Sequence, residues 1–242
     1  MADHNTPVVL VHGAWHGGWC WTPFMPHLSD RGLAPHAPDL PGHGENPSPM
    51  KDITLDGYAE TVVRVLDSLD KPAILVGHSM GGPTISEAAE RRPDKVKYLV
   101  YVAALMVPDG VAVATRMKED TTAESGKYVQ RGKDGLSLIM PEDGLRAATY
   151  AGMSEDQIKW ALGQLEPEAI APMTTPVHLT EENFGRVPRA YVECIEDKAI
   201  SIAMQRRMQQ DLPCDPVLTL DCGHMAPWVE PEAVADFIAR FK

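Results

Sequence analysis

Short apolar runs alternate with stretches of helical periodicity along most of this chain. Six runs rich in Val, Ile, Leu and Ala are typical of strands that a parallel sheet buries on both faces. The predicted strands cover residues 7–11, 33–37, 73–77, 96–105, 189–195 and 217–220. The predicted helices cover residues 21–31, 54–69, 82–92, 201–211 and 231–241. Strands that alternate with helices predict an α/β fold with a doubly wound parallel sheet.

The pattern changes between residues 106 and 187, where the chain is more polar and richer in Met, Pro and Gly. Helical periodicity survives there only in patches, at 144–150 and 154–165. We therefore predict a helical cap at 106–187, inserted into a core formed by 1–105 and 188–242. Its apolar side chains either line a substrate cavity, where thioethers adapt to irregular ligands, or seal the cap onto the core. These candidates are Met106, Met117, Met140, Met153, Trp160 and Met173.

Composition narrows the functional classes. The 242 residues suit one α/β domain with a large core. The chain has 22 Lys and Arg against 34 Asp and Glu, a formal net charge of −12 without a basic patch. This balance argues against binding to nucleic acid or to an anionic membrane surface. No apolar run approaches the length of a membrane span.

The cysteines and the first residues bear on where the protein works. The four cysteines contain no CxxC pair and lie near apolar segments, so we expect reduced, buried thiols. The few polar residues before the first strand are too short and too polar for a signal peptide. We therefore expect a cytoplasmic protein.

Residues 77–81 read Gly-His-Ser-Met-Gly and lie between a predicted strand and a predicted helix. This arrangement matches the G-x-S-x-G nucleophile elbow. Such a turn strains the serine backbone and exposes its hydroxyl at a helix N-terminus, where N–H groups favour developing negative charge. We predict that Ser79 is a nucleophile; the alternative is a glycine-rich turn with an idle serine.

A serine hydroxyl needs a base to take its proton, and the base needs an orienting carboxylate. In enzymes with this elbow the acid and then the histidine follow the serine along the chain. His224, just after the last predicted strand, is the candidate base. Asp197 follows strand 189–195 and is the candidate acid, with Asp109 as the runner-up. Asp221 is too close to His224 in sequence to reach it easily.

The loop after the first strand reads His-Gly-Ala-Trp-His-Gly-Gly-Trp over 12–19. Its three glycines permit the close backbone approach that an oxyanion-binding loop requires. We predict an oxyanion hole formed by the N–H groups of Ala14 and of Met80, the residue after the nucleophile. Asp39 and His43 do not make a metal site, because two ligands of mixed type are too few.

Four motifs extend this interpretation to a family: VLVHGAWHGGWCW, GHSMGG, YVECIEDKAIS and DCGHMAPWVEP. With them the chain resembles the α/β-hydrolase superfamily over essentially its whole length. More narrowly, it resembles plant methyl esterases and hydroxynitrile lyases and their bacterial carboxylesterase relatives, which include pyrethroid-hydrolysing types. The resemblance implies a Ser79–Asp197–His224 triad, a helical cap and catalysis without a cofactor. It also implies a six-stranded parallel sheet, because the antiparallel strands that begin many α/β-hydrolases are missing.

Two positions distinguish the two chemistries of this subfamily. Hydroxynitrile lyases of this type carry a lysine directly after the catalytic histidine and a threonine in the first loop. Here these positions hold Met225 and Gly13. Met225 offers no cation for departing cyanide, and Gly13 leaves room for the acyl part of an ester. Both departures favour an esterase.

We therefore expect a serine carboxylesterase that hydrolyses a small to medium, largely apolar ester through an acyl-enzyme. A hydroxynitrile lyase and a non-enzymatic small-molecule receptor on the same fold stay open as alternatives. The expected partner is a small-molecule ester, and the oligomeric state, with a homodimer as one option, stays open. The candidate pocket residues come from the first loop, the cap and the segment after the candidate base: Gly13, Trp15, Met106, Met153, Trp160 and Met225.

Overall fold

The structure is a computed structural model that describes residues 5–242. Within these residues nine strands form two sheets: β1 Thr6–Val11, β2 Leu33–His36, β3 Ala73–His78, β4 Val96–Val102, β5 Gln130–Arg131, β6 Ser137–Ile139, β7 Glu168–Ala169, β8 Arg189–Cys194 and β9 Val217–Leu220. The residues before β1, for which we predicted no signal peptide, lie largely outside the described residues.

The α-helices of the same residues are α1 Met25–Ser29, α2 Leu55–Ser68, α3 Gly81–Arg91, α4 Val113–Glu119, α5 Glu142–Gly144, α6 Glu155–Leu162, α7 Ile170–Thr174, α8 Ile202–Asp211, α9 Ala226–Val229 and α10 Pro231–Ala239. None of these helices has both the length and the apolar run that crossing a bilayer would require.

The main sheet has the strand order β2-β1-β3-β4-β8-β9, and all neighbouring strands are parallel. This confirms the predicted six-stranded parallel sheet. The chain reverses its direction of winding between β1 and β3, which are neighbours in the sheet. In open α/β sheets, ligands bind outside the carboxyl ends of the strands at such a switch point. The loops after β1, β3, β8 and β9 therefore meet at the edge where a site is expected.

Both faces of this sheet are covered, as the continuous apolar runs predict. Along β1, Val9 and Val11 pack into a core with residues of α2, α3 and α8. The alternate residues Val8 and Leu10 pack into a second core with residues of α1 and α10. Successive side chains of a strand point to opposite faces, so one strand contributes to both cores.

The predicted helix 21–31 is wrong in its extent. A 3₁₀ turn over Gly18–Trp21 and the five-residue helix α1 replace it. Pro26 has no N–H to donate to the carbonyl of Thr22, so a helix cannot run through it, whereas a proline is tolerated in the first turn of α1.

The predicted strand 96–105 also ends early, at Val102. Ala103 has a φ of 42°, in the left-handed region, and so leaves the extended conformation. The next residues turn back towards the elbow, where the N–H of Leu105 donates to the carbonyl of Ser79 (3.0 Å).

The segment 106–187, called the cap below, contains short helices and a small antiparallel sheet of β5, β6 and β7. The helical patch predicted at 154–165 is α6, which begins at a capping box between Ser154 and Gln157. The patch predicted at 144–150 is a π-helix over Leu145–Thr149. The small sheet was not predicted, because strands of two or three residues carry no readable alternation.

Candidate active site

Ser79 lies in the sharp turn between β3 and α3. Its φ of 53° is a left-handed conformation that a non-glycine residue rarely adopts. The glycines on either side permit this turn, since strand and helix pass closely. A Cβ on Gly77 would lie 2.8 Å from the carbonyl oxygen of Gly81, and a Cβ on Gly81 would lie 2.5 Å from that of Val11. The turn therefore has the geometry predicted from the motif.

Asp197 and His224 come together at the carboxyl ends of the neighbouring strands β8 and β9. Asp197 Oδ2 lies 2.7 Å from His224 Nδ1, and both residues are buried. Because an ionised carboxylate only accepts hydrogen bonds, this contact places the imidazole proton on Nδ1. The lone pair of His224 is then on Nε2, where a proton can be taken up.

The Asp197 carboxylate is held by three further hydrogen bonds. Its Oδ1 accepts from the backbone N–H groups of Ala199 (2.7 Å) and Ile200 (3.0 Å), and its Oδ2 accepts from Gln205 Nε2 (3.1 Å). A buried carboxylate is costly unless its oxygens are satisfied, and here both are. These bonds therefore fix the orientation of the Asp197 carboxylate towards His224.

The two other candidate acids lie elsewhere. Asp109 is exposed; its Oδ1 accepts from the N–H of Leu179 (2.9 Å) and lies 3.4 Å from His178 Nδ1. Asp221 is also exposed to solvent. Neither is hydrogen-bonded to His224 among the residues that the structure describes.

Gln205 was missed in the sequence. It is fully buried on α8, and besides Asp197 it bonds both backbone groups of Cys194. A signal was present, because Gln205 lies on the same helix face as the buried residues Met204 and Met208. A polar side chain on an apolar face requires a buried partner.

Ser79 and His224 line one cavity of about 500 Å³, including its open mouth, beneath the cap. Most of its larger side chains are apolar: Trp15, Leu105, Met117, Met173 and Ile200. The polar side chains besides Ser79 and His224 are few and small or neutral: His16, His78, Ser125 and Thr149. The cavity therefore suits an uncharged, largely apolar ligand.

Ala14 and Met80 also line this cavity. Within residues 5–242, neither of their backbone N–H groups donates to another protein atom. Met80 directly precedes α3, so its N–H belongs to a helix N-terminus, where partial positive charge collects. The two N–H groups are therefore available to a negatively charged oxygen.

Two further histidines of the site are neutral at pH 7. Burial, together with the nearby His224, lowers the pKa of His16 from 6.5 to about 4. Burial and His224 also hold the pKa of His78 well below its ordinary value. Since a carbonyl only accepts, His78 Nε2 donates to the His224 carbonyl at 3.0 Å. His78 thus supports the backbone of the candidate base.

The predicted pocket residues divide into two groups. Gly13 and Trp15 line the cavity, as do Met117 and Met173 from the wider set of cap residues. Gly13 packs so closely that a Cβ there would lie 2.8 Å from the Cβ of Ser79.

Four of the pocket predictions need correction. Met106 is buried in the core, where its backbone N–H meets Met208 Sδ at 3.2 Å. Met153 packs into the second core. Trp160 is 43% exposed and lies on the outer surface against another tryptophan ring. Met225 lines a separate small cavity. Side-chain direction in such irregular segments has no period, so the sequence could not predict it.

Comparisons with known proteins agree with this fold. The model of the alpha/beta hydrolase family matches residues 8–237. The chain is 30% identical to a pyrethroid hydrolase of Sphingobium wenxiniae, over 98% of this chain and 87% of that protein. It is 32% identical to methylesterase 2 of Arabidopsis thaliana, over 95% and 93% of the two chains.

Solved structures show the same likeness in three dimensions. A crystal structure of a pyrethroid hydrolase from Sphingobium faniae superimposes with a TM-score of 0.84 at 29% identity, over 98% of this chain and 96% of that one. Polyneuridine aldehyde esterase gives a TM-score of 0.88 at 25% identity, over 98% and 99%. With the family match over most of its length and this shared fold, the chain belongs to the alpha/beta hydrolase family.

Proposed function

We propose that this protein is a serine carboxylesterase that works through an acyl-enzyme. One observation carries the proposal: the buried Asp197–His224 pair, joined at 2.7 Å, opens onto the same cavity as Ser79. Relatives named as methylesterases and as a pyrethroid hydrolase, aligned over most of this chain, support ester hydrolysis.

In the first half-reaction Ser79 Oγ attacks the ester carbonyl while His224 Nε2 takes its proton. Asp197 holds the Nδ1–H and stabilises the imidazolium that forms. The electron pair of the carbonyl moves onto its oxygen, and the N–H groups of Ala14 and Met80 stabilise that charge. His224 then gives its proton to the leaving alcohol, which leaves the acyl group on Ser79.

In the second half-reaction water attacks the acyl-enzyme. His224 removes a proton from the water, and the same two N–H groups hold the second oxyanion. Collapse of this intermediate breaks the bond to Ser79, whose oxygen recovers its proton from His224. The acid product leaves and the resting enzyme returns. Every proton in this scheme passes through His224.

The substrate that fits this cavity is an uncharged ester with apolar acyl and alcohol parts. Among the described residues that line the cavity there is no Lys or Arg to pair with a substrate carboxylate or phosphate. Met117 and Met173 add flexible thioethers from the cap side, which adapt to irregular apolar shapes.

We propose that the enzyme works in the cytoplasm. All four cysteines lie in the described part of the chain and are free thiols, as in a reducing compartment. The lack of a membrane-spanning helix among residues 5–242 is compatible with this location. Cell fractionation followed by immunodetection tests it, and recovery in an oxidising compartment would contradict it.

A serine-directed phosphonate, followed by peptide mass spectrometry, tests the enzymatic proposal. We expect one adduct, on Ser79, and a loss of at least about 10³-fold in ester hydrolysis for Ser79→Ala. Asp197→Asn is expected to lower kcat by about 10⁴-fold, because the histidine then loses its orienting carboxylate. Asp109→Asn is the matched control and is expected to keep wild-type activity.

An adduct on any other residue would overturn the proposal. If the adduct forms on Ser79, a screen of aryl, methyl and bulky pyrethroid-like esters defines the substrate range. Cyanide release from mandelonitrile at a rate near that of ester hydrolysis would instead indicate a lyase.

A further inference from the structure

The loop at 12–19, called the oxyanion loop below, is connected to the cap by Trp15. Each polar group of Trp15 takes part. Its backbone N–H donates to Glu168 Oε2 (3.3 Å), and its carbonyl accepts from the N–H of Glu166 (3.0 Å). Its indole Nε1 donates to the carbonyl of Leu138 (3.0 Å). All three partners belong to the cap. The loop that follows β1 is thus held from outside the main sheet.

The backbone of Trp15 needs such support. Its φ of 64° is left-handed, which costs a non-glycine residue about 1 kcal/mol or more. The peptide group between Ala14 and Trp15 is clamped on both sides. Its carbonyl accepts from His16 Nδ1 (2.7 Å), and its N–H donates to Glu168. Fixing this peptide fixes the orientation of Ala14, a residue that lines the cavity.

Glu168 is itself held by a buried network. Its Oε1 accepts from the hydroxyl of Tyr58 (2.9 Å), and its Oε2 lies 3.3 Å from His43 Nε2. His43 Nε2 is also 3.1 Å from the Tyr58 oxygen. Burial and the adjacent carboxylate raise the pKa of Tyr58 well above its ordinary value, so the phenol stays a donor.

This carboxylate has no part in the chemistry of Ser79 and His224, yet it is 99% buried, since only 1% of Glu168 is exposed. Burying a carboxylate is costly, and a role in stability alone is better met by apolar residues of similar volume. Its hydrogen bond to the oxyanion loop is the one that it accepts from the N–H of Trp15.

We propose that Glu168 is a positioning residue that aligns the Ala14 N–H for the oxyanion, so that the cap completes the oxyanion hole. The proposal rests on the esterase function proposed above. It assigns Tyr58 and His43 as the groups that hold the carboxylate in place. Removing Glu168 then weakens binding of the transition state and leaves binding of the ground state unchanged.

The test compares two ketones that differ only in the group beside the carbonyl, CF3 in one and CH3 in the other. An aryl-alkyl trifluoromethyl ketone forms a tetrahedral adduct: a bond forms from Ser79 Oγ to the carbonyl carbon, the carbonyl electron pair becomes the oxyanion, and His224 takes the serine proton. The matching methyl ketone binds without this reaction. The ratio of their inhibition constants therefore reports stabilisation of the oxyanion.

For Glu168→Ala we expect kcat for an aryl ester to fall by about 10- to 100-fold, because one displaced donor costs less than a removed one. KM is expected to stay within about twofold, and the ketone ratio to fall by the same factor as kcat. Glu168→Gln is expected to lower kcat less than Glu168→Ala does, because the glutamine side chain keeps one of the two acceptor oxygens. It also serves if the alanine variant does not fold.

Glu90 offers a matched control. It is also a buried carboxylate that is hydrogen-bonded to the cap. It accepts from the backbone N–H groups of Thr180 (2.8 Å) and Phe184 (3.1 Å) and from the side chain of Asn183 (3.0 Å). Within residues 5–242 no hydrogen bond joins Glu90 to the loop at 12–19. We expect Glu90→Gln to lower stability and to leave the ketone ratio at the wild-type value.

The two proposals fail in different ways. If the wild-type chain forms no phosphonate adduct at Ser79, the esterase function fails. If the adduct forms but the ketone ratio of both Glu168 variants stays within twofold of wild type, only the role of Glu168 is overturned. An equal change of the ketone ratio in Glu90→Gln would show that Glu168 has only a structural role. That result would also overturn the proposed positioning role.

Discussion

At the scale of single residues, Gln205 is the side chain that joins α8 to the candidate acid. It donates to Asp197 Oδ2 and bonds both the N–H and the carbonyl of Cys194, so it links the end of β8 to the loop that follows. Loss of these bonds leaves a buried polar group without a partner, which costs about 1–3 kcal/mol. Gln205 thus affects both the stability of the chain and the orientation of the Asp197 carboxylate.

We predict that Gln205→Met lowers the free energy of unfolding by about 1–3 kcal/mol and lowers kcat by about tenfold. KM is expected to change little, because Gln205 does not line the cavity. Urea unfolding and steady-state kinetics measure the two effects. Gln209→Met is the control, since Gln209 bonds Glu193 (3.1 Å) and not Asp197. Equal losses of kcat in both variants would contradict a specific role for Gln205.

At the scale of elements, the elbow is a contact between backbones. β3 and α3 approach so closely that only hydrogen fits at the glycine positions, and the start of α3 also lies against the end of β1. This packing sets where the first N–H groups of α3 point. The element geometry, and not the side chain of Met80, therefore places the N–H group that we propose as one donor of the oxyanion hole.

We predict that Gly81→Ala lowers the free energy of unfolding by about 1–3 kcal/mol and strongly reduces ester hydrolysis. Its Cβ would lie 2.5 Å from the carbonyl of Val11, so α3 has to move away from β1. Gly126→Ala is the control, because a Cβ there meets nothing within 4 Å. Thermal unfolding and an ester assay measure the difference. A fully active, stable Gly81→Ala enzyme would show that the close approach is unnecessary.

At the scale of the whole molecule, buried neutral histidines couple folding to pH. Burial holds the pKa values of His12, His16 and His78 below the ordinary value, to about 4 for His16. In the unfolded chain these groups take up protons near pH 6.5. The unfolded state therefore binds more protons than the folded state between these values. Stability is present above about pH 6.5 and is lost as the pH falls towards 4.

We predict that His16→Gln makes the free energy of unfolding less dependent on pH. Between pH 7 and pH 4.5 the wild-type chain loses roughly 2 kcal/mol through His16 alone, and the variant does not have this loss. Urea unfolding at the two pH values measures it. His36→Gln is the control, since His36 is exposed, and it is expected to keep the wild-type pH dependence. An unchanged dependence in His16→Gln would contradict the prediction.

The main sheet and the order of the candidate catalytic residues could be predicted from the sequence. Apolar runs mark buried strands because both faces of a parallel sheet are covered, and the six strands lie where those runs are. The elbow motif is local, so its turn follows from five consecutive residues. The pairing of Asp197 with His224 could also be predicted, since both follow strands whose carboxyl ends share one edge.

The cavity wall and its support were decided only by the tertiary structure. Met117 and Met173 line the cavity while Met106 and Met153 do not, and no period in the cap distinguishes them. The contact of Glu168 with Trp15 joins residues 153 positions apart, so neither residue carries a local sign of the other. The sequence alone determined the elements and the order of the reactive groups, because those depend on local periodicity and strand ends. The folded chain decided what surrounds those groups, because long-range packing sets the direction of each side chain.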